Sequence, residues 1–102
     1  MDDQLVPNPR HARLKNLLAE AEDRAHEVRT AYRDALTAMR SQTVWTGPTA
    51  EKWADELEEQ HRRLVRLAQR VVDAIEVELH RHPAMVTRSE ADAARRELAG
   101  RI

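Results

Sequence analysis

The 102-residue chain has no cysteine and no phenylalanine, and only two glycines. The absence of cysteine excludes disulfide bonds and thiolate metal sites. Because aromatic residues make up only 3% of the chain, any core must come from Leu, Val, Ile and Ala, as in helix seams. Long apolar runs are also missing, so we expect no membrane insertion. The opening MDDQLVPNPR is acidic where a signal peptide is basic, so we expect no cleaved export signal.

The chain also lacks a large net charge, because its 17 basic residues nearly balance its 18 acidic ones. A nearly neutral chain has no net field that would attract a phosphate backbone, so we predict no nucleic-acid partner. Glycine-rich phosphate loops, nucleophile elbows and catalytic Ser-His-Asp orderings are not found in the sequence. We therefore predict no enzymatic activity, no catalytic residue and no cofactor.

The few prolines and glycines divide the chain into segments. We predict an all-α fold with a flexible N terminus over residues 1–8 and helices at about 9–40 and about 48–82, joined by a turn at about 41–47. The tail, residues 83–102, is expected to hold at most a short helix over 90–99, with Ser89 and Asp92 resembling a capping box. The short connection makes residues 9–82 an antiparallel helical hairpin.

Apolar residues follow a helical period in both long segments. In the first they are Leu14, Leu18, Ala21, Ala25, Val28, Tyr32, Ala35 and Met39. In the second they are Ala50, Ala54, Leu57, His61, Leu64, Ala68, Val71 and Ile75, flanked by Val65, Leu67, Val72 and Leu79.

The second helix carries more apolar residues than one neighbour can cover. Burying each of them stabilises by roughly 1.5 to 3 kcal/mol, so we predict that two hairpins dimerise into a four-helix bundle. The sequence leaves homodimer and heterodimer open. The expected interface residues are Leu14, Leu18, Val28, Tyr32, Leu57, Leu64, Val65, Leu67, Val71, Val72 and Ile75.

A metal-ligand spacing is present at Glu58 and His61, an E-x-x-H of the kind found in di-iron bundles. The inward positions of the first helix supply no further carboxylate, so we predict no metal site. His61 is interpreted instead as a histidine at the edge of the seam. Folding the chain about residue 46 places it opposite Tyr32, whose hydroxyl is expected to meet a ring nitrogen.

Both tryptophans lie in WTGPTAEKW, at the centre of the chain. Trp45 precedes the turn, Gly47 allows a sharp reversal, Pro48 suits the start of a helix, and Trp53 follows one to two turns later. This stretch resembles the Trp-Xaa-Gly motif of the small helical-hairpin proteins exported by type VII (ESX) secretion systems. The resemblance extends over about residues 9–82.

The resemblance implies a non-enzymatic substrate or partner of a type VII system, folded as a dimer and recognised by the secretion ATPase. Exported members carry Tyr-Xaa-Xaa-Xaa-Asp/Glu after the second helix, whereas here only Val86 and Glu90 have that spacing. Either a partner supplies the signal, or this chain is not itself exported. We therefore expect secretion through a type VII system, or a cytoplasmic location if the chain is a non-exported partner. The main alternative is a cytoplasmic helical adaptor or chaperone that binds a larger helical client.

Overall fold

The computed structural model describes residues 4–41 and 47–100. In chain order the elements are strand β1 (Leu5–Pro7), helix α1 (Pro9–Ser41), helix α2 (Pro48–Arg81), strand β2 (Met85–Thr87) and helix α3 (Arg88–Ala99). The mostly helical fold with two long helices is as predicted. The described residues form two compact units. The central unit comprises Ala21–Val72, and the terminal unit comprises the first 20 residues together with those from Asp73 onward.

Both long helices begin at a proline that follows a capping residue. Asn8 and Gly47 accept the first backbone hydrogen bonds of α1 and α2 through their carbonyl oxygens, from Ala12 and Glu51. Pro9 and Pro48 thus occupy the first helical position, where the missing N–H costs nothing and the fixed φ suits the helix. Gly47 has a φ of +95°, a conformation that residues with a Cβ rarely adopt.

In the central unit, α1 from Ala21 onward lies beside α2 as far as Val72. Its buried residues are small, with Ala25 2% and Val72 5% exposed. Half-buried residues on the facing sides include Val28, Tyr32, Leu57 and Val65. Small side chains at buried positions such as Ala25 allow two helices to approach closely along a narrow seam.

The terminal unit contains a two-stranded sheet on which α3 packs. β1 and β2 are antiparallel, with Leu5 opposite Thr87, Val6 opposite Val86 and Pro7 opposite Met85. Val86, Ala91 and Ala94 are buried at this contact. Arg10 and Glu97 form an ion pair that joins the first turn of α1 to α3. The segment Leu5–Pro7 and residues 85–99, which are distant in sequence, are therefore held in one folded unit.

Asn8 is the buried polar residue of this unit, at 5% exposure. Its side-chain oxygen accepts from the Arg10 amide at 3.1 Å, which caps α1. Its side-chain amide donates to the Pro83 carbonyl at 2.9 Å, and its backbone N–H donates to the Ala84 carbonyl. One side chain thus links the start of α1 to the segment after α2.

Three expectations need correction in the terminal unit. Residues 5–8 form a strand and a helix cap rather than a flexible N terminus, and the two strands add a small sheet to a fold expected to be all-α. The short helix begins at Arg88 instead of 90 because Thr87, not Ser89, caps it. Thr87 Oγ1 accepts from the Glu90 amide at 3.2 Å and donates to the Glu90 carboxylate at 2.9 Å.

Candidate functional site

One side of α2 in the central unit presents large apolar side chains to solvent. Trp53, Leu64, Leu67 and Val71 are 53 to 55% exposed, and Leu57 beside them is half-buried. Isolated exposed apolar residues are common, but a continuous row of them marks an interaction surface. We call the row Trp53, Leu57, Gln60, Leu64, Leu67 and Val71 the open stripe.

The open stripe has the spacing of a coiled-coil seam. From Trp53 to Val71 its members are separated by four, three, four, three and four residues. That alternation keeps side chains on one face of a helix that packs against another helix. Gln60 is the polar member and lies near the middle of the row. The stripe is therefore suited to another helix rather than to a small ligand.

An apolar groove between α1 and α2 runs along the same side of the central unit. Its lining comes from Val28, Ala31, Tyr32 and Ala35 on α1 and from Leu57, Gln60, His61 and Leu64 on α2. Leu57, Gln60 and Leu64 thus belong to both the groove and the open stripe. The surface is wider than a single helix face, since α1 contributes to it.

The open stripe shares Leu57, Leu64 and Val71 with the seam that the apolar pattern predicted, and two of these residues correct the prediction. Leu64 and Val71, expected in the seam between the helices, are exposed, whereas Val65 is half-buried and Val72 is buried. The two pairs are adjacent in sequence and lie about 100° apart around the helix. A single neighbouring helix covers only one of the two sides, and α1 covers that of Val65 and Val72.

Tyr32 and His61 meet as predicted, but by a different contact. Their rings stack with centroids 4.4 Å apart and an interplanar angle of 17°. The expected hydrogen bond from the Tyr32 hydroxyl is not among the contacts of the described residues. Stacking of this kind stabilises a ring pair by about 0.5 to 1.5 kcal/mol.

Charged residues on α2 are separated by sign along the central unit. Acidic residues dominate 51–59, and the four charged residues of 62–70 are all arginines. Arg62 lies 2.7 Å from Glu58 and Arg63 lies 3.8 Å from Glu59, as the i to i+4 spacing predicts. These exposed pairs each contribute a few tenths of a kcal/mol. Their larger effect is to give the helix an acidic half and a basic half.

The remaining predicted interface residues lie in the terminal unit. Leu14 and Leu18 are half-buried there, and Ile75 is buried. Val86 is buried in β2, and Glu90 completes the cap of α3. Trp45 lies outside the described residues, whereas Gly47 and Pro48 start α2. The structure therefore brings together only Val28, Tyr32, Leu57, Leu64, Leu67 and Val71, with Trp53, at one surface.

Within the described ranges, no group of three or more His, Asp or Glu side chains is placed to hold a metal ion, and no helix is long and apolar enough to cross a membrane. The chemistry that this surface offers is apolar contact with flanking charge.

Searches against protein-family models, curated proteins and solved structures found no match to this chain.

Proposed function

We propose that this chain is a non-enzymatic protein that acts by pairing its open stripe with a second helical hairpin, forming a four-helix bundle. The observation that carries this proposal is the row from Trp53 to Val71, whose large apolar side chains are half exposed. Covering the exposed half of each would stabilise a complex by on the order of 1 kcal/mol per residue. That gain is sufficient to favour association of helices already held in place.

The process that the pairing serves is proposed to be type VII secretion, with the chain as a substrate or as the partner of one. The supporting residues are Trp45, Gly47 and Trp53, which resemble the family motif, and Pro48, which starts α2 next to it. The contacts of Val86 and Glu90 after α2 favour the partner role. Val86 is buried and Glu90 is engaged in a helix cap, so neither is free to act as a linear signal.

The secretion proposal is tested by immunoblotting culture supernatants of strains with and without the type VII secretion ATPase. We expect the chain in the supernatant only when the ATPase is present, alone or together with a coexpressed hairpin partner. Retention in the cell under all of these conditions would contradict the proposal and favour the cytoplasmic adaptor or chaperone.

A double substitution in the open stripe tests the pairing proposal. Leu64→Glu combined with Leu67→Glu places two charges in the open stripe without touching a buried position, so the complex should be lost while the helices remain. Arg66→Glu, a charge change at an exposed position outside the stripe, should leave the complex intact. Co-purification of a tagged hairpin partner measures both. Loss of the complex in the Arg66 variant alone would place the interface elsewhere.

A further inference from the structure

We propose that the occupant of the open stripe is a second copy of this chain, whose α2 helix lies antiparallel to the first across a two-fold axis near residue 62. The inference rests on the proposed function, because it names the partner of the same surface. It is carried by the spacing of the stripe and by the placement of charge beside it.

The spacing of the open stripe is the same in both directions along the helix. Its steps of four, three, four, three and four residues are symmetric about residue 62. A two-fold axis there places Trp53 opposite Val71 of the second copy, Leu57 opposite Leu67, and Gln60 opposite Leu64. All six positions then have a counterpart over about 27 Å of helix. A shift by one heptad in either direction leaves two positions of each stripe without a counterpart.

Charge next to the stripe fits the same alignment. Glu56 and Arg70 each precede a stripe residue by one position, lie two heptads apart, and form no ion pair within the described part of the chain. In the antiparallel arrangement Glu56 lies about 3 Å along the helix axis from Arg70 of the second copy, within reach of an ion pair, and the two-fold axis repeats that pair. Arg63 lies one residue from the axis and close to Arg63 of the second copy, and Glu59 at 3.8 Å offsets the repulsion between the two arginines.

A parallel arrangement of two α2 helices fits less well. It would bring the acidic half of each helix beside the acidic half of the other, and the basic halves together. In coiled coils the flanking charges set orientation, while the apolar layers supply most of the affinity. Antiparallel packing satisfies both demands in this sequence.

A charge exchange tests the inference. Glu56→Arg should raise the dimer dissociation constant by about tenfold, because two attractive pairs become repulsive. Arg70→Glu should do the same. An equimolar mixture of the two variants should recover dimers close to the wild-type affinity, since each Arg at 56 then faces a Glu at 70. Asp55→Arg and Arg66→Glu make equal charge changes at exposed positions away from the stripe and should leave the dissociation constant unchanged. Failure of the mixture to recover would overturn the antiparallel pairing.

Cysteine crosslinking tests orientation independently, because the chain contains no cysteine. A short bis-maleimide should join a Glu56→Cys copy to an Arg70→Cys copy. It should not join two Glu56→Cys copies, whose positions would lie about 18 Å apart along the helix axis. Efficient crosslinking of Glu56→Cys to itself would support a parallel pair and contradict the inference.

Light scattering of the purified chain separates this inference from the proposed function. A mass of twice 11.8 kDa supports the second copy. A monomer that nevertheless binds a coexpressed hairpin protein, and loses it with the Leu64 and Leu67 variant, would overturn the second copy while leaving the proposed pairing function in place.

Discussion

At the scale of single residues, Asn8 hydrogen-bonds to backbone groups in two distant segments of the chain. It caps α1, donates to the Pro83 carbonyl and continues the strand pairing at Ala84. All three contacts are made by a residue that is nearly buried, so the loss of its side chain would leave polar groups without partners. Asn8 therefore holds the start of α1 against the segment after α2.

We expect Asn8→Ala to lower the free energy of unfolding by roughly 2 kcal/mol, the sum of a lost cap and a lost buried hydrogen bond. Asn8→Ser keeps the cap and should lose about half as much. Asn16→Ala, the same change at an exposed position inside α1, serves as the control and should stabilise by a few tenths of a kcal/mol, since Ala has the higher helix propensity. Urea denaturation followed by circular dichroism measures all three. Equal effects at positions 8 and 16 would contradict the role assigned to Asn8.

Gly47 and Gly100 differ in backbone conformation. Gly47 has a φ of +95°, and Gly100 has a φ of −72° with ordinary space for a Cβ. We expect Gly47→Ala to destabilise the fold by about 1 to 2 kcal/mol, because the strain of a positive φ does not depend on the free space around it. Gly100→Ala should be neutral or slightly stabilising. Thermal unfolding of the two variants compares them directly, and an equal midpoint for both would contradict the positive φ at residue 47.

At the scale of elements, the start of α3 is assigned to Thr87. Thr87→Ala should destabilise the terminal unit by about 1 kcal/mol, since both hydrogen bonds of its capping box with Glu90 are lost. Ser89→Ala removes a hydroxyl two residues away and should have little effect. Hydrogen exchange of the α3 amides measures the difference. Faster exchange in the Ser89 variant than in the Thr87 variant would restore the cap that the sequence alone suggested.

The long helices were predictable because their signals are local and repeated. Pro9 and Pro48 mark their starts, Pro83 follows the end of the second, and the apolar period extends over about seven turns in each. The strands were missed because three residues are too few to show a period, and Leu5–Pro7 pairs with a segment almost 80 residues away. Asn before Pro indicates a helix start, which agrees with the cap at Asn8, but it does not indicate the strand before it.

The candidate surface was only half predictable. An excess of apolar residues on α2 was evident from the sequence, and it correctly indicated that one neighbour would not cover them. Which side stays open was not evident, because Leu64 and Val65, like Val71 and Val72, are adjacent apolar pairs. The choice is made by packing against α1, which depends on contacts between residues some 30 positions apart.

At the scale of the whole molecule, the chain combines a terminal unit stabilised by many polar links with a central unit that leaves an apolar row exposed. The polar links of the terminal unit are the hydrogen bonds of Asn8, those of the small sheet, and the ion pair between Arg10 and Glu97. In the central unit the buried residues are small, whereas Trp53, Leu64 and Leu67 are more than half exposed to solvent. That contrast is why we place the function of the protein on α2 rather than at its ends.

The most direct test of this account is the molar mass of the purified chain by light scattering over a range of concentrations, compared with that of the Leu64→Glu/Leu67→Glu variant. We predict that the wild-type chain associates and that the variant is a monomer with unchanged helical circular dichroism, because both positions are already exposed. Arg66→Glu should associate like the wild type. A wild-type monomer at every concentration, or a variant that associates as strongly as the wild type, would contradict the claim that the open stripe joins this chain to another helix.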